Sequence, residues 1–284
     1  MAAGNLGKTK NQGVELELKH NNRIGKDFYY NVGFTFSHAR NEILDMDEPD
    51  AKTGYRKQEG HPINQYFGLI CDGFVTQADL DNPNFPKSTY GNVQVGDLKY
   101  RDMNGDGFID DRDETFIGYS DIPENTYALT LGAQWKGIGF SVMFQGVDHV
   151  SRFYDAEAMF AFVNGGKVKE HHLGRWNPAM SEEYNLANAT YPLLHYDSYG
   201  NHNQRQNSFF LKNGAFLRLK NIELSYSLPQ SWIKKAAMKE CRIYVNASNL
   251  VTWDHLGGLT DPESNGSNRY PIMKTVNFGV NIQF

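Results

Sequence analysis

The sequence predicts an all-β protein: an antiparallel, up-and-down segment of a transmembrane β-barrel, about seven strands with long extracellular loops. Three observations carry that prediction. The last thirteen residues, Ile272 to Phe284, alternate apolar and polar side chains and stop on the aromatic itself. The connections between such alternating stretches are by turns short and very long. Nowhere is there an apolar run near the ~20 residues that a membrane helix needs, which fits the mean hydropathy of −0.58.

Composition narrows the choice further. A net charge of −5 over 284 residues implies no sequence-independent affinity for nucleic acid. Aromatic residues make up 13% and glycines number 27, as many strands and many turns require. The two cysteines, Cys71 and Cys241, have no metal-ligand spacing. Met1 to Lys10 has no apolar stretch of the signal-peptide kind, so an export signal is expected in sequence outside this chain.

Taken in order, Val14, Leu16 and Leu18 alternate with Glu15, Glu17 and Lys19 as a first short strand, and His20 to Lys26 reads as a polar turn. Phe28, Tyr30, Val32, Phe34 and Phe36 then face one way while Tyr29, Asn31, Gly33, Thr35 and Ser37 face the other. Residues 41–124 break the pattern with Asp, Asn, Gly and Pro; a segment of that length between strands is usually functional or disordered. Alternation returns at Tyr127, Leu129, Leu131, Ala133 and Trp135, turns tightly at Lys136 to Gly139, and continues through Phe140, Val142 and Phe144. A second long polar stretch covers 151–207.

The next strand is expected from about Phe209 to Leu228. Its apolar parity switches between Leu219 and Ile222, so a bulge is expected near Lys220 and Asn221. Gln230 to Lys239 reads as a short amphipathic helix. Ile243, Val245 and Ala247 alternate with Tyr244, Asn246 and Ser248, a third polar loop covers 254–271, and the last strand follows. There Ile272, Val276, Phe278, Val280, Ile282 and Phe284 share a face, interrupted only by Lys274. Lipid on one side and lumen water on the other produce this pattern.

Placing 41–124, 151–207 and 254–271 on the outside puts every short connection on the opposite side, as in outer-membrane barrels. Tyr29, Asn31, Asn246, Asn277 and Asn281 then line the lumen. Cys71 falls in an outer loop and Cys241 at the inner rim, so no bond between them is expected. Seven strands do not close a barrel, which takes at least ~8, and open edges in lipid strand unpaired backbone groups. The chain is therefore expected to be the C-terminal part of something larger.

Several segments together resemble the SusC/RagA-like TonB-dependent outer-membrane transporters. They are Asn11-Gln12-Gly13-Val14-Glu15-Leu16, the Gly96-Asp97…Tyr100…Asp102…Asn104-Gly105-Asp106-Gly107 loop, and Arg175-Trp176-Asn177-Pro178. Phe216-Leu217-Arg218-Leu219-Lys220-Asn221-Ile222, Arg242 to Leu250, and Asp261-Pro262-Glu263 complete the series. The resemblance runs from about residue 5 to the end. It implies a barrel of about 22 strands with a plugged lumen, of which residues 1–284 are the C-terminal portion, the plug and earlier strands being absent. It implies residence in the outer membrane of a Gram-negative, Bacteroidetes-like cell, among outer-membrane lipid. It also implies import of oligosaccharides or peptides, a SusD-like surface lipoprotein as lid, and TonB acting through the missing plug region.

Three groups of side chains are candidates for chemistry. Asp102, Asn104, Asp106, Phe108, Asp110 and Asp113 follow the acidic calcium-loop order, with Gly107 for the sharp turn. The twelfth position holds Asp113 in place of the longer glutamate and no helix flanks it, so a Ca²⁺ that rigidifies an outer loop is expected, not an EF-hand domain. An Asx-rich turn without an ion is the alternative. Among the loop aromatics, Trp176, Tyr196, Tyr199 and Trp253 are candidates for stacking on a ligand, with Tyr184 and Tyr191 in the same group; the alternative is that they pack the loops or form an interfacial belt. His171, His172, His195 and His202 read as ordinary loop polarity, because adjacent histidines on a strand point apart.

No nucleophile elbow, zinc-protease helix or phosphate loop is present, so no enzyme activity is expected. One rival reading is a secreted Ca²⁺-dependent carbohydrate-binding β-sandwich. It accounts for the aromatics and the acidic loop, but not for the apolar terminus or the alternating loop lengths.

Overall fold

The computed structural model of the chain describes residues 7–48, 53–154, 156–196, 202–264, 270 and 272–284. Seven strands form one antiparallel sheet in sequence order: β1 Lys8–Ile24, β2 Phe28–Asp45, β3 Asn125–Trp135, β4 Ile138–Asp148, β5 Phe216–Ser227, β6 Glu240–Asp254 and β7 Thr275–Gln283. Each pairs only with its neighbours, the up-and-down order. Lys136 and Gly137 make the two-residue turn between β3 and β4, both at positive φ (47° and 90°), which matches the twist of the strands they join.

Residues directly opposite on paired strands point to the same face, so the register sorts the side chains. One lateral row reads Phe28, Trp135, Ile138, Tyr226, Ile243, Val280; the next on that face reads Tyr30, Ala133, Phe140, Leu224, Val245, Phe278. The opposite face carries Asn31, Gly132, Ser141, Glu223, Asn246 and Asn277 in one row. Tyr29, Asn31, Asn246, Asn277 and Asn281 all lie on this polar face, where Asn277 donates to Asn246 Oδ1 at 3.0 Å.

The apolar face is bare. Seventeen large apolar side chains on it are solvent-exposed, Phe278 to 84%. Each side chain left in water forgoes part of the roughly 1.5–3 kcal/mol that full burial contributes, and a contiguous apolar face of this extent marks an interaction surface. A β-sandwich would cover it with a second sheet. Among the described residues the other sheets are two-stranded pieces within the loops, and the sandwich reading fails.

Several boundaries differ from those the alternation suggests. β1 continues to Ile24 and β2 to Asp45, because cross-strand pairing carries polar residues that alternation alone leaves in turns. β5 begins at Phe216, not Phe209, since Phe209 and Phe210 turn into the loop core. The bulge is where parity requires it: Leu219 pairs with Phe144 and Asn221 with Met143, leaving Lys220 as the extra residue. Opposite it on β6, Val251 and Ser248 pair with Leu219 and Asn221, so Asn249 (φ 56°) and Leu250 are extra there. The expected helix over 230–239 is a single turn, Gln230–Ile233, followed by a 3₁₀ turn, Lys234–Ala236. β7 starts at Thr275, and Ile272 to Lys274 precede it unpaired.

Candidate functional site

The three long connections leave the same end of the sheet and pack as one unit. Its core takes Leu69, Leu98, Tyr100 and Ile109 from the first loop, Tyr154, Met159, Phe160, Tyr191 and Phe210 from the second, and Leu256 from the third. Short paired pieces frame it: Gln65–Gly68 with Thr115–Ser120, Cys71–Phe74 with Leu98–Tyr100, and Ser151–Arg152 with Lys212–Asn213. The described residues of the segment 41–124 are thus structured, and burial of residues far apart in sequence supplies the driving force.

Buried polar side chains tie the second loop to the first. Asp97 is fully buried and accepts from Gln94 N (2.8 Å) and Asn203 Nδ2 (2.8 Å), with His195 Nε2 at 2.5 Å. Asn203 Oδ1 in turn accepts from Leu98 N at 2.9 Å. His202 lies 2.6 Å from the Leu98 carbonyl through Nε2 and 2.8 Å from Ser88 Oγ through Nδ1; the carbonyl requires Nε2 to carry the proton. Burial pushes the His202 and His172 pKa values down, so both rings are held neutral. Arg205 adds contacts to Asp111 (2.7 Å) and Glu114 (3.1 Å) and lies over the Tyr90 ring at 4.2 Å.

Two pairs of sequence motifs meet here. Gly96 has φ +93°, and a Cβ on it would come within 2.4 Å of the Trp176 indole, so only glycine lets that ring lie on the backbone. Trp176 is 2% exposed, its ring edge-on to Phe74, and its backbone N–H donates to Tyr191 O at 2.8 Å. The second pair joins loop to wall. Arg218 on β5, 1% exposed, donates to Glu263 Oε2 (2.7 Å), to both oxygens of Asp261 (2.8 and 2.7 Å) and to Thr252 Oγ1 (2.9 Å). Lys220, the bulge residue, reaches Glu263 at 2.9 Å. The Asp261-Pro262-Glu263 segment is thereby clamped to the polar face of the barrel wall. Sequence reasoning found both motifs but not their pairing, which spans 43 residues.

Positions of the expected site residues follow from this packing. Asp102, Asn104, Asp106, Phe108, Asp110 and Asp113 share one loop, where Asp102 accepts from Gly105 N and Gly107 N at 2.7 and 2.8 Å. Asp113 is buried and accepts from Met103 N and Asp110 N, both at 2.9 Å. The cation beside them is Arg112, 2.7 Å from both Asp106 and Asp110, and its hydrogen bond holds the Asp110 carboxyl below the usual range. Among the described residues no group of three or more His, Cys, Asp or Glu converges to hold a metal ion.

Trp176 is buried, which corrects its assignment as a ligand platform. Trp253 is corrected for another reason: its row is Phe36, Tyr127, Gly146, Leu217, Trp253, so it lies on the apolar face near the loop end, where an aromatic girdle sits. Tyr196 is 90% exposed, 5.3 Å from Phe162, and Tyr184 is exposed as well. Tyr199 lies outside the described residues. His171 and His172 do not point apart; in a 3₁₀ turn both reach the Met159 carbonyl, at 3.1 and 3.0 Å. Cys71 in the loop unit and Cys241 at the turn end of β6 are free thiols.

A sheet apolar on one side and polar on the other, with loops packed at one end and short turns at the other, has the pattern of a barrel-wall segment. No family model matches the chain. It is 25% identical to TonB-dependent receptor P3 of Formosa agariphila over 313 residues, covering 99% of this chain and 29% of that protein. It is also 25% identical to the TonB-dependent receptor SusC of Bacteroides thetaiotaomicron, covering 99% of this chain and 27% of that one. Among solved structures it is similar to the RagAB peptide transporter, with TM-score 0.69, 24% identity, and coverage of 99% of this chain and 30% of that chain. The RagAB peptide importer in its closed-closed state aligns at TM-score 0.69 with 25% identity, covering 99% and 30%. The chain is thus SusC/RagA-like and corresponds to the C-terminal part of the barrel of a TonB-dependent transporter. It spans about three tenths of the length of these relatives, which are named as receptors and transporters and not as enzymes.

Proposed function

We propose that this chain forms the C-terminal wall and part of the outer mouth of a transporter in the outer membrane of a Bacteroidetes-like cell. The whole protein takes up oligosaccharides or peptides actively, with a SusD-like surface lipoprotein over the mouth and TonB supplying energy through the plug. The observation that carries this reading is the sorted sheet: continuous apolar rows on one face, Asn, Ser, Gln and Tyr on the other, and one packed loop unit at the end. The work is binding and gated passage, with no bond made or broken. Exposed Tyr196 and Tyr184 offer aromatic faces at the loop surface, suited to stacking on a sugar ring or a peptide side chain. The wall below offers carboxamides, which donate and accept equally well to hydroxyls and to peptide groups.

The test is fractionation followed by uptake. The full-length protein is expected in the outer membrane, and accumulation of labelled oligosaccharides or peptides is expected to collapse when TonB is removed. Recovery in the soluble fraction, or uptake indifferent to TonB, refutes the proposal.

A further inference from the structure

The turn end of the wall carries a groove and a charged rim that the transport reading does not use. The groove, about 830 Å³, is lined on the apolar face by Ile138, Leu224, Tyr226, Ile243, Val245 and Phe278, a volume in the range that holds a small ligand. It lies in the two rows nearest the short turns. Tyr226 and Ile243, a cross-strand pair side by side in its lining, are two residues from Leu228 and Cys241, where the 229–239 connection begins and ends. At a rise of ~3.4 Å per residue the connection therefore starts and ends about 7 Å from the groove.

The connection itself is held in place. Ile233 is 1% exposed, Met238 N donates to Ile233 O at 3.2 Å, and Lys239 N donates to Gln283 O at 2.7 Å. On that fixed base Trp232 stands 64% exposed, and Lys234 and Lys235 are exposed beside it. Residues 228–239 hold three lysines and no acid, in a chain whose net charge is −5. A second tryptophan–lysine pair stands at the β3–β4 turn, with Lys136 Nζ 5.5 Å from the Trp135 ring and 4.0 Å from Asp27. Tryptophan settles at the headgroup level of a bilayer, and lysines near the surface attract anionic headgroups.

We infer that this groove and the 229–239 connection form a binding site for an anionic phospholipid of the leaflet on the turn side. An acyl chain lies along Tyr226, Ile243, Val245 and Phe278, and the phosphate is held by Lys234 and Lys235 beside Trp232. The charge selects the occupant: a neutral or zwitterionic lipid fills the groove equally well but gains nothing from the lysines. The inference rests on the membrane reading above, and the experiment separates the two.

Full-length protein purified in detergent is titrated with phosphatidylglycerol or phosphatidylcholine and followed by native mass spectrometry. Retention of phosphatidylglycerol in preference to phosphatidylcholine is expected. It is expected to weaken about fivefold for each lysine lost and roughly 25-fold in K234Q/K235Q, with K57Q/K87Q in the loop unit unchanged. Equal retention of the two lipids, or equal retention by the wild type and K234Q/K235Q, overturns the site while leaving the barrel standing. A protein that needs no detergent and shows no heat-resistant barrel on gels overturns both.

Discussion

Arg218 offers the sharpest perturbation. It is 1% exposed, and its guanidinium satisfies Asp261 with two hydrogen bonds and Glu263 with one. Removing one partner of a buried ion pair costs about 3–5 kcal/mol, because the remaining charge is stranded. Asp261 and Glu263 are 14% and 18% exposed and Lys220 stays on Glu263, so water and Lys220 recover part of the loss. The lower end, about 3 kcal/mol, is the fair expectation for Arg218→Met. The clamp holds one loop, so the loss appears as local opening and not as global unfolding. At ~1.4 kcal/mol per tenfold, opening of 255–264 should rise roughly 150-fold.

Hydrogen exchange reads this at the amides of Leu256, Glu263 and Ser264, which are bonded within the loop at 2.8–2.9 Å. Arg218→Lys keeps the charge but loses the fork that grips Asp261, and should fall between. Protection changing by less than about fivefold in Arg218→Met would mean that the clamp is not what holds the loop.

Three further expectations test the loop unit. His172 and His202 are buried with lowered pKa values, so the opened loop binds more protons than the packed one. Their stabilisation is present above pH ~6.5 and fades as pH falls, by up to about 1.4 kcal/mol per unit for each ring; proteolysis of 151–207 that is no faster at pH 5.5 than at pH 7.5 contradicts this. Gly96→Ala drives a methyl into the Trp176 ring at positive φ, for about 3 kcal/mol, and a Gly96→Ala/Trp176→Ala double variant should lose less than the sum of the two singles in thermal melts. Millimolar Ca²⁺ should displace Arg112 from Asp106 and Asp110 and give a saturable heat in calorimetry; no heat would leave the acidic loop as an Asx-rich turn without an ion.

The wall was legible because its signal is local. Alternation needs only neighbouring residues, and even the bulge at Lys220 shows as a change of parity between Leu219 and Ile222. Strand ends were less so: Phe209 and Phe210 look like the start of β5, but they are drawn into a core built by Leu69, Tyr100 and Tyr191, which no local pattern reveals. Trp253 keeps the parity of Ile243, Val245 and Ala247 across the two extra residues at Asn249 and Leu250, but the ladder is interrupted there, so the continuation of the strand to Asp254 was hard to read. Trp176 was misplaced because an aromatic in a polar loop reads as exposed until Gly96 is seen against it. Arg218 and Asp261 stood out as motifs, yet only the folded chain brings them together.

The central claim is that alternate residues of these strands meet hydrocarbon and water. Spin labels on single cysteines at Phe278, Val245 and Leu224, against Asn277, Asn246 and Glu223, measure it in bilayers, with Cys71 and Cys241 replaced by serine. The account predicts that labels at the first three positions collide with dissolved oxygen and those at the second three with a water-soluble nickel chelate. Labels at Phe278 and Val245 shielded from both reagents would place those side chains inside a protein core and contradict it.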